Sequence, residues 1–257
     1  MYSNALRKKM AFDIYLPQGY SATRKYPVLY ALHGKDGNEN SWMNGWLWGF
    51  QGVQINKKAD QLIAEHRLAP LIIVSPELDN SYGINSARQT ARVGDYNRGM
   101  YEDYIEKDLI RYVDAHYSTV ESRTGRYIGG FSMGGFAALH SAFARGDLFS
   151  KTGGYSAALW IGPPPTVLSW LYPNQRTQRQ TDPLTIAGYK NLRDVKVFLA
   201  HGDRDPFAQA DDELYKTLKA HGVTVTDEVR PGGHTYGYWS QNVGDFLLFF
   251  GGLPRQP

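Results

Sequence analysis

Unbroken apolar runs recur along this chain, and segments of helical period separate them. "YPVLYALHG" (26–34), "PLIIVSPE" (70–77), "RYIGGF" (126–131), "KTGGYSAAL" (151–159) and "VKVFLAHGD" (195–203) read as strands, with "MAFDIYLP" (10–17) before them and "VTVTDEVRP" (223–231) after. A strand apolar at every position is buried on both faces, which requires a mostly parallel sheet with helices on each side. Helical segments fall between the runs: "ADQLIAEHRL" (59–68), "MYEDYIEKDLIRYVDAHY" (100–117), "MGGFAALHSAFA" (133–144) and "DDELYKTLKAHG" (211–222), with Gly222 as a stop. In the second of these, Tyr101, Tyr104, Ile105, Leu109, Tyr112, Val113 and His116 share one face, and Glu102, Glu106 and Lys107 are expected opposite. A closing stripe of Trp239, Val243, Phe246, Leu247 and Phe250 is also helical. No repeat or low-complexity linker interrupts the pattern, so residues 1–257 are expected to form a single α/β domain with an irregular, lid-like segment over about 159–190.

Composition removes several function classes. The chain has 257 residues, 42% of them hydrophobic, enough to build a core without cross-links. It has no cysteine, so disulfides, thiolate metal sites and a cysteine nucleophile are all excluded. A net charge of +3, with basic residues dispersed, offers no nucleic-acid patch. No apolar run approaches the roughly 20 residues of a membrane span. The first residues, "MYSNALRKKMAFDIYLP", lack the apolar core of a signal peptide, which favours the cytoplasm; a chain trimmed of its leader would read the same. "DYNRGMYED" (95–103) puts its glycine one position early for a calcium-binding EF-hand loop. "HGDRD" lacks the histidine partners of a metal site, and no phosphate-binding glycine loop occurs, so neither cofactor nor metal is expected.

The chemistry centres on Gly130-Phe131-Ser132-Met133-Gly134, a G-x-S-x-G sequence with a strand before it and a helix after it. A serine on so sharp a turn stands above the sheet edge. Cβ atoms at 130 and 134 would obstruct the close approach of strand and helix, and the helix N-terminus aims free N–H groups at charge forming beside Ser132. A serine hydroxyl needs a base. His66, His116 and His140 lie in helical patterns, His221 precedes a helix-ending glycine, and His33 and His201 are tied to turns at strand ends. His234, in the Pro/Gly loop "RPGGHTYGYW" after the last strand, lies where loops at the carboxyl ends of parallel strands gather. The chain order Ser, acid, His puts the acid in "HGDRDP", and Asp205 is preferred to Asp203 because it lies farther from the strand end and can turn back toward His234. The oxyanion donors are expected to be the backbone N–H groups of Met133 and Lys35.

Taken together, "YPVLYALHGKDGNENSW", "YIEKDLIRYVDAHY", "GGFSMGGFAAL", "HGDRDPF" and "GGHTYGYW" resemble the esterase-D-like family of α/β-hydrolases, from about Ser3 to Phe250. The family includes feruloyl esterases, S-formylglutathione hydrolases, siderophore esterases and mycolyltransferases. The resemblance implies the α/β-hydrolase fold, and its pattern puts the triad on Ser132, Asp205 and His234 and an oxyanion donor on Lys35. The cysteine usual near the first loop of S-formylglutathione hydrolases and the extra N-terminal domain usual in siderophore esterases are both missing, which disfavours those specialisations.

The function expected is a cofactor-free carboxylic-ester hydrolase whose partner is a small-molecule ester with a short or aromatic acyl group, attached to a sugar or another small polar alcohol. An acyltransferase using the same acyl-enzyme is one alternative; a non-catalytic carbohydrate binder on a hydrolase scaffold is another. Two tryptophan-bearing segments, "NSWMNGWLWGF" (40–50) and "LWIGPPPTVLSWLYPNQ" (159–175), are expected to overhang the sheet edge. Trp42, Trp46 and Trp160 are the expected substrate contacts, with Trp48 and Trp170 nearby. The three prolines at 163–165 argue against an amphipathic lid helix there.

Overall fold

Alternate residues of the central strands enter two different cores. Val28, Tyr30, Leu32, Ile72 and Val74 pack on one side of the sheet, and Leu29, Ala31, Leu71 and Ile73 on the other. This is why those strands carry no polar alternation. The structure, a computed structural model, describes residues 1–44, 46–47 and 50–254, the side chains of 46, 47, 50 and 51 excepted. Its main sheet has seven strands: β1 (Phe12–Tyr15), β2 (Val28–Leu32), β3 (Ile72–Pro76), β4 (Arg126–Phe131), β5 (Lys151–Tyr155), β6 (Lys196–Gly202) and β7 (Val225–Arg230). The order across the sheet is β7-β6-β5-β4-β2-β3-β1. All neighbours are parallel except β1, which pairs antiparallel with β3 at one edge.

The helices are α1 (Ile55–Ala64), α2 (Tyr101–Asp103), α3 (Ile110–His116), α4 (Met133–Ala144), α5 (Gln175–Thr181), α6 (Pro183–Ala187), α7 (Ala208–Ala220) and α8 (Tyr236–Gly251). Residues of α1 and α8 enter the core on one face of the sheet, and those of α3, α4 and α7 the core on the other. This is the α/β-hydrolase arrangement, a mostly parallel sheet covered on both faces. Helix α7 ends as Gly222 suggested: with φ 72° there, the Gly222 N–H bonds Lys219 O and the Val223 N–H bonds Leu218 O, each at 3.0 Å.

Three local expectations need correction. Helix α1 begins at Ile55 and stops at Ala64, earlier than 59–68, because the chain turns out at His66 with φ 54°. Strand β5 ends at Tyr155, well before residue 159, because Ser156 adopts φ 51°. Between α2 and α3 the backbone forms a π-helix, Tyr104–Leu109, which adds a residue to the turn and shifts the buried face. Glu106, expected outside, is therefore buried and bonds Arg145 at 2.7 Å, whereas His116 is exposed.

Candidate active site

The turn from β4 into α4 is possible only without side chains at two positions. A Cβ on Gly130 would lie 2.3 Å from Gly134 O, and one on Gly134 would lie 2.2 Å from Leu32 O. Between them Ser132 has φ 55° and ψ −121°, a strained backbone for an L residue. Its strain is held by neighbours on both sides: the Ser132 N–H bonds Tyr155 O, and Ser132 O accepts from Phe136 and Ala158 N–H, at 3.0 to 3.1 Å.

Loops after β6 and β7 bring the other two groups to this serine. Gly202 lies against Gly232 so closely that a Cβ would reach 2.5 Å from the Gly232 carbonyl carbon. The Gly232 N–H donates to Asp203 Oδ1 at 2.9 Å, and the Arg204 N–H to Gly232 O at 2.9 Å. Asp203 thus ties the two loops together, while Asp205 faces the imidazole. His234 Nε2 lies 2.8 Å from Ser132 Oγ, and His234 Nδ1 lies 3.0 and 3.2 Å from the two oxygens of Asp205. The Asp205 side chain is wholly buried, which works against its charge. Hydrogen bonds from His234, from the Phe207 amide at 2.9 Å and from Ser156 outweigh that penalty and hold it below the usual carboxylate range. Asp211, in the first turn of α7, is pushed the other way, first by complete burial and then by the charge of Asp205.

The two residues expected to supply backbone donors lie beside the serine. Met133 is the first residue of α4 and Lys35 follows Gly34, whose Cβ would lie 3.2 Å from Ser132 Cβ. Neither N–H donates a hydrogen bond among the described residues. The loop is braced by His33, with Nδ1 2.7 Å from Gly34 O and Nε2 accepting from the Leu78 N–H at 2.9 Å. The Lys35 ammonium bonds Asp36 at 2.6 Å and sits 5.5 Å from the Tyr96 ring centre.

A cleft of about 370 Å³ opens on Ser132 and His234. Trp160 lines it, with Tyr82, Tyr96, Phe207, Tyr236 and Trp239 as further aromatic walls. Trp42 does not reach it. Fully buried, it stacks on Phe246 at 5.1 Å and donates Nε1–H to Leu32 O at 2.9 Å, so it belongs to the core. The Trp46 side chain and Trp48 lie outside the described residues. Trp170 packs behind the wall against Tyr82 and Tyr96. The segment over 159–190 is more regular than expected: it contains a 3-10 helix, Thr166–Leu171, and helices α5 and α6. Only its first part, through Trp160, Pro165 and Leu168, lines the cleft.

Sequence reasoning missed several wall residues. Tyr82 and Tyr96 stand in loop and hairpin segments without periodicity; the hairpin pairs Ala91–Val93 with Tyr96–Arg98. Phe207 lies two residues after Asp205 and Tyr236 two after His234, close enough in sequence to have been suspected. Trp239 reads as part of the helical stripe and also contacts His234 edge-on at 5.0 Å. Among the described residues no group of three or more His, Asp or Glu side chains is placed to hold a metal.

Comparison with known proteins gives the same fold. A solved ferulic acid esterase superposes with TM-score 0.82 at 24% identity, over 98% of this chain and 95% of that one. The acetyl esterase of Caldicellulosiruptor saccharolyticus is 22% identical over 94% of this chain and 92% of its own. An endo-1,4-beta-xylanase/feruloyl esterase of Xylanibacter ruminicola is 28% identical over 62% of this chain, which spans only 21% of that longer protein. The family model described as "Putative esterase" matches residues 3–250. The chain therefore belongs to this esterase family, the esterase-D-like group of α/β-hydrolases.

Proposed function

We propose that the protein is a serine carboxylic-ester hydrolase that works through an acyl-enzyme, with Ser132 as nucleophile, His234 as general base and acid, and Asp205 as the group that orients the imidazole. The observation carrying this reading is the continuous hydrogen-bonded line from Ser132 Oγ through His234 to Asp205, at 2.8 and 3.0 Å. Ser132 Oγ bonds to the acyl carbon as its proton passes to His234 Nε2. The carbonyl π electrons move to oxygen, where the N–H groups of Met133 and Lys35 receive the negative charge. Collapse breaks the ester C–O bond, and His234 returns the proton to the leaving alcohol. Water repeats the sequence on the acyl-enzyme, releasing the acid and restoring Ser132. Asp205 keeps the tautomer with Nδ1–H and stabilises the imidazolium without taking the proton.

The acyl group is short or aromatic. A cleft of about 370 Å³ with aromatic walls matches one aryl ring or a short chain. The relative whose name joins xylanase with feruloyl esterase supports a hydroxycinnamoyl ester on a sugar. A panel of p-nitrophenyl esters from acetate to palmitate, run beside methyl hydroxycinnamates, tests this. The expected kcat/KM maximum lies at short or aromatic acyl groups; a maximum at long chains would turn the assignment toward a lipase or lipid transferase.

A further inference from the structure

The turn that carries Lys35 is gripped from outside by a single side-chain amide. The Gly37 N–H closes on Gly34 O at 3.1 Å, making a β-turn of residues 34–37, and Asp36 at its third position takes φ 59°. Positive φ there, after a Lys35 of ordinary φ, is the type II pattern, in which glycine is the usual occupant. An aspartate would ordinarily settle into type I, with the central peptide turned over. Asn80, in the loop after β3, holds the less usual form. Its Oδ1 accepts the Asp36 N–H at 2.7 Å, and its Nδ2 donates to Asp36 Oδ1 at 2.8 Å and to Asp95 O at 2.9 Å. An amide turned end for end would set its NH2 against the Asp36 N–H and its oxygen against two acceptors, so only this orientation fits. Asn80 is itself fixed on the hairpin: its O accepts the Asn97 N–H at 3.0 Å, and its N–H donates to Asn97 Oδ1 at 3.3 Å.

We infer that Asn80 is a positioning residue for the ester hydrolysis proposed above: by holding the turn in its type II form it aims the Lys35 N–H at the oxyanion, a role that rests on Lys35 being the donor assigned there. The Lys35 N–H needs an external brace because it donates to nothing among the described residues. The carbonyl of its own peptide unit, Gly34 O, is held by His33 and by the Gly37 N–H, which fixes one side of Lys35. The peptide on the other side, between Lys35 and Asp36, is the one that a change of turn type turns over, and Asn80 grips its N–H. Asp36 is exposed, so water can replace the amide as a partner, but water does not select one turn type over the other. Asn80 is not among the residues lining the cleft, so it acts through the Lys35 loop.

Asn80→Ala keeps the main-chain bonds to Asn97 and removes the grip on Asp36. The expected loss is about tenfold in kcat with KM held within about twofold, part of the roughly 10²–10³ that outright loss of an oxyanion donor costs. A trifluoromethyl ketone takes Ser132 Oγ at its carbonyl carbon, passes the serine proton to His234 and leaves an oxyanion, so its affinity should also fall about tenfold. Asn80→Asp, which keeps the acceptor but sets a carboxylate against Asp36, should lose kcat in the same way. Glycine takes positive φ unaided, so adding Asp36→Gly to either variant should restore kcat to within about threefold of wild type. Circular dichroism checks that each variant is folded. Wild-type kcat in Asn80→Ala, or a loss confined to KM, overturns the inference. So does a loss that Asp36→Gly leaves in place, since Asn80 would then be acting through the hairpin and not through the turn. The oxyanion assignment fails separately, and takes the role of Asn80 with it, if folded Lys35→Pro keeps wild-type kcat/KM.

Discussion

The π-helical turn between α2 and α3 carries a measurable cost, because it buries Glu106. The side chain is only 2% exposed, Oε2 bonds Arg145 at 2.7 Å, and Oε1 has no partner among the described residues. Burial first, then the neighbouring Glu102 carboxylate, push the Glu106 pKa up to about 7 from 4.5, although Arg145 and His140 pull against them. Between those two values the folded protein holds a proton that the unfolded chain has released. Stability therefore falls as pH rises through that window, and the loss is complete above the folded value. The gap between the two values is worth roughly 3 kcal/mol. Glu106→Gln keeps the shape and the acceptor for Arg145 but cannot ionise. Relative to wild type, it should gain about 3 kcal/mol between about pH 4.5 and about pH 8, whatever constant offset the amide introduces. Urea unfolding of both proteins at the two pH values measures the difference. A pH-independent difference, or glutamine losing ground at high pH, would show instead that the Arg145 ion pair outweighs burial.

Other expectations follow from the site. Asp205→Asn should lower kcat about 10⁴-fold. Asp203→Asn, which weakens only the acceptor for the Gly232 amide, should cost far less in steady-state assays. Lys35→Ala should be mild, whereas Lys35→Pro, which removes the backbone donor, should cost about 3 kcal/mol in kcat/KM in protein shown by circular dichroism to be folded. Equal damage from alanine and proline would assign the role to the side chain. Gly134→Ala drives a methyl into Leu32 O and should destabilise by about 3 kcal/mol in denaturant unfolding; a wild-type midpoint would mean the turn has room to spare.

The parts of this structure legible in sequence are those where one residue type answers one physical demand. Doubly buried strands demand continuous apolar runs, and β2 to β6 supply them. The tight turn at Ser132 demands glycine at 130 and 134. The edge strand β7 was legible from its place in the alternation, although its burial is only partial. What escaped depends on backbone departures with weak local signatures. The π-turn at 104–109 moved Glu106 inward against its 3.6-residue period, and no glycine or proline marks it. Trp42 was misplaced because a tryptophan in a loop beside the nucleophile can face either way. Here the loop folds back, so that Val53 and Ile55 N–H bond Ser41 and Trp42 O and the indole enters the core between Phe131 and Phe246. Tyr82 and Tyr96 reach the cleft from loop and hairpin positions whose direction only the assembled fold decides.

The proposed hydrolysis requires Ser132 to be an activated nucleophile. Incubation with a fluorophosphonate, followed by mass spectrometry of the intact protein and its peptides, reads this directly. One adduct per chain is predicted, on the peptide containing Ser132, with labelling abolished in Ser132→Ala and strongly slowed in His234→Ala. An unlabelled wild-type protein, or an adduct that persists in Ser132→Ala, would contradict it.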